Sequence, residues 1–282
     1  MIRYDRLKDS INWPATWSLT SFSLYADPTN TNFREDKVQS FRRKLMFDEL
    51  PTMDNLCRRK PDIYKSEWKC FHCDLVHETS AHLWFCAPSD PLKWSRKDAL
   101  KMIIDLARDS LKKHLIKIDR NRSRIPTLDW LPEFVALPCW SLTPSDTSFY
   151  SFDLLKGFVP WDLFDLVNSV IRNHTLSISL INKVLFKLQD RAFRYIWLLR
   201  CHDMVEWESL RQITAVMKRS NSHSNPTSST QIRSKDQIVI HDRCDGWISN
   251  SINRGLQWYN YISDFLVGLT VQMDKFAPLF FG

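Results

Sequence analysis

Apolar residues recur at helical spacing over most of this chain. Between Phe33 and Leu50, the residues Val38, Phe41 and Leu45 fall three and four apart, which puts them on one side of an amphipathic helix. Acidic Glu35 and Asp36 suit its first turn, and Pro51 stops it. A second short helix is predicted from Pro51 to about Arg59, with proline in its first turn and Pro61 past its end. Ser95 to Ile118 reads as a longer amphipathic helix. Its buried stripe is Leu100, Ile103, Ile104, Leu106, Ala107, Leu111 and Leu115, and Lys101, Arg108, Lys112 and Lys113 take the opposite face. A further helix begins near Trp161, and a long one spans Ser177 to Met217 through Ile181, Val184, Leu188, Ile196, Trp197 and Val205.

Other stretches break the period. The first thirty residues read as irregular, with Trp13, Trp17, Phe22 and Tyr25 as aromatic anchors. Pro132, Pro138, Pro144 and Pro160 interrupt the region from Thr127 onward. Lys218 to Thr230 has almost no apolar side chain and reads as a flexible linker. After it, Ile238 to Ile240 fits a brief strand and Trp247 to Leu269 a mostly helical pattern. The expected organisation is an irregular segment at 1–32, a zinc-binding domain with a basic helix at 33–125, a helical region at 126–217, a linker at 218–236 and a small helical segment at 237–282. The expected fold class is mainly α: a helical assembly with a small zinc-stabilised knuckle, or hairpin-helix element.

Composition sharpens this picture in three ways. Five glycines among 282 residues, against twelve tryptophans and seventeen phenylalanines, favour helices over glycine-rich turns and barrels. The net charge is +7, and nearly all of it collects between Trp94 and Arg124, where ten basic residues face four acidic ones. Such a run is either a solvated helix face or a phosphate-binding surface built from Lys97, Lys101, Arg108, Lys112, Lys113, Lys117, Arg120, Arg122 and Arg124. Seven cysteines and the charged opening MIRYDRLKDS speak against a disulfide framework and a secretion signal. An intracellular protein, nuclear or cytoplasmic, with no transmembrane helix is therefore expected.

Within the seventeen residues from Cys70 to Cys86, Cys70, Cys73, His82 and Cys86 form a C-x2-C-x8-H-x3-C array. Two thiolates separated by two residues converge on one ion from a tight turn, and residues four apart on a helix face the same way. Three sulfurs and one imidazole close a tetrahedral shell, the donor set of structural rather than catalytic zinc. Trp68, Leu83, Trp84 and Phe85 supply apolar cover. A redox Cys-x-x-Cys would leave His82 and Cys86 unexplained. A two-Cys, two-His finger using His77 would leave only three residues where about twelve are usual, so His77 is at best a reserve ligand. Cys201, His202, His241 and Cys244 would make a second ion site if the last segment folds back on the long helix. A buried Cys and surface His explain the same residues without a metal.

Cys70-Phe-His-Cys73 together with Glu78-Thr-Ser-Ala-His82-Leu-Trp-Phe-Cys86 resembles the zinc-binding domain downstream of the polymerase in LINE-type (non-LTR) retrotransposon reverse transcriptases. Phe41-Arg-Arg-Lys-Leu45 and Glu49-Leu-Pro-Thr52 are similar to the helical approach to that domain. Ile196-Trp197-Leu-Leu-Arg200-Cys201 resembles its tail motif. The final Cys follows His82 after three residues, where four are frequent in that family. The resemblance implies a zinc ion at Cys70, Cys73, His82 and Cys86, and RNA as a partner in preference to DNA. It also implies descent from a retroelement polyprotein. The polymerase itself is not expected here. Tyr25-Ala26-Asp27-Pro28 has only the outline of a polymerase Tyr-x-Asp-Asp turn, and Pro28 cannot ligate magnesium. The chain is expected to be a non-catalytic, zinc-binding, nucleic-acid-associated module. A scaffold whose zinc only joins helices for protein contacts is the alternative.

Overall fold

The computed structural model describes residues 7–24, 33–88, 90, 94–122 and 128–219. Tyr25, Arg124, the expected linker beyond Arg219, the brief strand at Ile238 and the segment at 237–282 lie outside the described residues. Among the described residues the regular elements are all helices, joined by turns and by one isolated antiparallel bridge between Ile11 and Pro160. The longer elements are α1 (Trp13–Ser21), α2 (Phe33–Met46), α5 (Arg96–Arg122), α8 (Trp161–Ile171), α9 (His174–Ala192) and α10 (Leu198–Leu210). Shorter ones are α3 (Met53–Arg59), α4 (Ser80–Phe85), α6 (Leu131–Ala136), α7 (Ser151–Lys156) and α11 (Ala215–Arg219). No described helix is long and apolar enough to cross a membrane.

The paired helices α5 and α9 form the axis of the fold. Helix α9 also packs on α1, α7 and α8, and α5 on α4 and α8. Ser95 opens α5 by accepting the Asp98 N–H at 3.2 Å. Leu100, Ile103, Ile104, Ala107, Leu111 and Leu115 are buried along it as the periodicity predicts. Leu106 is not: it stays half exposed. At about 100° per residue it projects roughly 130° from the mean direction of that stripe, too far to reach the core.

Three other expectations change. Residues 13–21 are helical rather than irregular, because Asn12 accepts the Ala15 N–H at 3.0 Å and Pro14 sits in the first turn. Trp13 and Trp17, one turn apart on α1, stack at 5.8 Å. The second short helix starts at Met53, behind a Thr52 cap, rather than at Pro51. The long C-terminal helix is divided by a π turn at Phe193–Trp197, and it ends at Leu210 before a turn in which Gln212 takes a φ of 57°. A π turn inserts one residue into the helical register, and here it buries Ile196 and Trp197 while Tyr195 remains exposed.

Aromatic rings fasten α2 and α4 to this turn. Phe41 lies 6.2 Å from Trp84, 5.1 Å from Phe193 and 5.9 Å from Trp197. Arg42, also buried, donates to Gln189 on α9 at 2.7 Å and to the carbonyls of Phe22 and Leu19, tying the end of α1 into the same core. A second, smaller apolar cluster of Met53, Ile63, Tyr64, Met204 and Ile213, with Trp68, Phe71 and Trp207 against it, joins α3 to α10. Replacing Phe41 by Ala should cost about 3–5 kcal/mol of stability in equilibrium urea unfolding. A loss below about 1 kcal/mol would mean the rings do not unite these helices.

Candidate metal centre

The ligand run is organised by its own backbone. The Cys70 N–H donates to the Val76 carbonyl at 2.7 Å, and the Asp74 N–H returns to the Cys70 carbonyl at 2.8 Å. Asp74 takes a φ of 56°, closing a tight turn that brings Cys70 and Cys73 together. Thr79, rather than Ser80, caps α4 by accepting the His82 N–H at 3.1 Å. His82 lies within α4, whereas Cys86 is the extended residue just past its end. The expectation of both ligands on one helix is thereby corrected: His82 and Cys86 converge because the chain turns off the helix at Cys86.

The four donor atoms all lie within 4.8 Å of one another. Cys70 Sγ is 3.9 Å from Cys86 Sγ, and Cys73 Sγ is 3.4 Å from His82 Nε2. A tetrahedral shell with metal–sulfur bonds of about 2.3 Å and a metal–nitrogen bond of about 2.0 Å has edges of roughly 3.8 Å between sulfurs and roughly 3.5 Å between sulfur and nitrogen. The residues therefore fit a metal ion. Cys70 and Cys86 are buried, while Cys73 is half-buried. The contact between the two sulfurs holds the Cys70 thiol below its ordinary value and, together with burial, pushes Cys86 up.

Neither neighbouring histidine joins the cluster. His77 Nδ1 lies 2.9 Å from the Trp68 carbonyl and its Nε2 lies 3.7 Å from Asp54, so it braces the loop and is not a reserve ligand. His72 Nε2 is 2.8 Å from the Trp94 carbonyl, and its Nδ1 is 3.9 Å from Asp203. In the suggested second site, Cys201 is half-buried with its thiol pushed up by burial, and His202 is exposed beside Glu206. His241 and Cys244 lie outside the described residues. Burial likewise pushes up the thiols of Cys139 and Cys57.

Beneath the cluster is an ion triad that sequence reasoning missed. Glu78, fully buried, accepts from Arg96 Nη1 at 3.0 Å and from Arg200 Nη2 at 2.5 Å and Nε at 3.4 Å. It also accepts the Met53 N–H at 3.2 Å, while its carbonyl takes the Asp54 N–H at 3.2 Å. Phe71, between the first two cysteines, lies under both guanidiniums, 5.5 Å from Arg96 and 5.2 Å from Arg200. The Cys/His element is therefore tied to α3, α5 and α10 at one point. Glu78 and Arg200 stand in the two separate motifs that carry the retroelement resemblance, which was the available signal. Arg96 was counted with the surface charge of the basic run, yet it is 0 % exposed.

The remaining basic residues do reach solvent. Lys97, Lys101, Lys113, Lys117 and Arg120 are exposed, and Arg108 and Lys112 are half-exposed. Arg108 is held by Asp105 at 2.9 Å. The side chain of Arg122 and all of Arg124 lie outside the described residues. At about 100° per residue, Lys97, Lys101, Arg108 and Lys112 form one stripe along α5, and Lys113, Lys117 and Arg120 form another roughly a quarter-turn or more away. The basic residues are not one face. No protein-family model, curated protein or solved structure matches this chain.

Glu78→Gln keeps the volume but removes the counter-charge of two buried guanidiniums. It should lower unfolding stability by about 3–5 kcal/mol, measured by urea titration with metal content held constant. Stability within about 1 kcal/mol of the parent would show that the triad does not join the element to the helices.

Proposed function

We propose that the chain is a non-catalytic nucleic-acid-binding module in which a structural zinc ion, held by Cys70, Cys73, His82 and Cys86, fixes the Cys/His element against the helical body. The observation that carries the zinc reading is the mutual approach of four donors, three thiol sulfurs and one imidazole nitrogen, to within 4.8 Å. Soft thiolates with one imidazole in tetrahedral array suit zinc among the common biological ions. With all four positions taken by protein, the ion has no open site for a substrate or an activated water, so its contribution is to folding and rigidity.

The nucleic-acid reading is supported by the exposed lysines of α5, whose N-terminal residue Arg96 is part of the ion triad beneath the metal centre. An ordered Cys/His element would fix the direction in which this long helix projects its cations. RNA in preference to DNA, and descent from a retroelement polyprotein, follow from the resemblance of the ligand run. Contacts of this kind are made to phosphates, depend on salt and read sequence weakly. A protein scaffold is the second reading, favoured by the exposed apolar side chains Tyr195, Leu198, Leu199, Val205 and Leu210 on the π turn and α10.

Fluorescence anisotropy with a labelled single-stranded RNA separates the two. The module should bind with an affinity that falls steeply with salt, at a log–log slope of about −0.7 per phosphate contacted. Lys113→Glu with Lys117→Glu should weaken binding and flatten that slope by about one contact each. No binding of RNA or DNA at low salt, by protein with its metal bound, would remove the nucleic-acid role and leave the scaffold.

A further inference from the structure

Arg96 and Arg200 place two permanent positive charges in the interior, with 0 % and 1 % exposure. Glu78 neutralises only one of them. The other carboxylates packed against this region are engaged elsewhere: Glu208 with Lys218 and the Tyr64 hydroxyl, and Asp203, about a third exposed, facing His72. One buried positive charge is left over. It falls to Arg96, whose Nη1 serves Glu78 while its Nε and Nη2 are buried with no hydrogen-bond acceptor. The faces of its guanidinium rest on Phe71 at 5.5 Å and Trp94 at 5.9 Å. An ionised group in such a place costs several kcal/mol unless an opposite charge answers it.

That opposite charge is next door. The Cys86 carbonyl accepts the Lys97 N–H at 3.2 Å, which stitches the last ligand to the residue after Arg96, and Phe71, between Cys70 and Cys73, lies 5.5 Å from the Arg96 guanidinium. A divalent ion bound by three thiolates and a neutral imidazole carries a net charge of −1. Added to Glu78 and the two arginines, it brings the buried assembly to zero.

We propose that Arg96 is the positioning residue of the metal centre, its guanidinium supplying the charge that balances a divalent ion held by three thiolates. This rests on the reading that Cys70, Cys73, His82 and Cys86 bind such an ion. It adds a reason for the ligand count: a two-thiolate, two-imidazole shell would be neutral and leave Arg96 unanswered, and a monovalent ion in the present shell would leave a negative charge. Three thiolates and a divalent ion are the combination that matches.

The test is a double-mutant cycle on zinc affinity in the full 282-residue chain, read by competition with a chromophoric chelator at fixed pH and salt. Arg96→Met should weaken zinc binding about 10- to 100-fold, and Arg96→Lys, which keeps the charge, should recover most of it. Cys73→His, which makes the filled shell neutral, should weaken zinc binding in the parent. In the Arg96→Met background it should cost at least about tenfold less, because charge is then matched again. If Arg96→Met does not fold, Arg96→Gln, which keeps a donor for Glu78, takes its place in the cycle. Equal losses for Arg96→Lys and Arg96→Met, or costs that simply add, would overturn the charge-balancing role while leaving zinc binding intact. A parent chain that takes up no zinc would instead overturn the metal reading and this proposal together.

Discussion

The buried carboxylate of Glu78 is the joint on which the rest of this structure depends. It sits four residues before His82, within the ligand run, and receives N–H groups from three other places in the chain: Met53 at the start of α3, Arg96 at the start of α5 and Arg200 in α10. Breaking such a joint by removing one partner costs far more than its net contribution to folding, because the remaining charges stay buried. A docking of the Cys/His element that separated these groups would leave charges buried and unpaired.

A metal ion and this joint do complementary work. The run from Cys70 to Cys86 has one six-residue helix, α4, and is otherwise turns and extended chain, too short to bury much apolar surface of its own. An ion at the four donors would cross-link its two ends, and Glu78 anchors its middle. Aromatic residues fill the space between: Phe71 under the guanidiniums, Trp84 against Phe41, and Trp68 edge-on to Trp207 at 5.0 Å. Arg211, 3.9 Å from the Trp207 ring centroid, closes the outer side of that cluster. Helix α5 leaves this assembly with its first turn fixed by Ser95, Arg96 and the Cys86 carbonyl, so the direction of its exposed lysines is set by the element that would hold the ion.

Local information was legible in the sequence and long-range information was not. Helices α2, α5 and α8 announce themselves because apolar residues three and four apart need only their own segment to be recognised. The ligands were legible for the same reason: all four lie in seventeen consecutive residues. Helix α1 was hidden because its buried side is small and partly polar, Ala15, Thr16 and Leu19, while its two tryptophans are only half-buried. The π turn keeps the composition of a helix while shifting its register, so Phe193–Trp197 reads as uninterrupted. The triad was least visible. Its members are separated by 18 and 122 residues, and an isolated Arg is by default a surface residue. Only its burial beside a second arginine and one carboxylate reveals what Arg96 does.

The central claim is that the Cys/His element is a metal centre with three sulfur donors and one nitrogen donor, seated on the Glu78 joint. X-ray absorption at the zinc edge, on the full chain purified without added metal and reconstituted with one equivalent, tests this most directly. The account predicts a tetrahedral first shell of three sulfurs at about 2.3 Å and one imidazole nitrogen at about 2.0 Å. A shell of oxygen and nitrogen donors, or zinc that stays in solution as the hydrated ion, would contradict it.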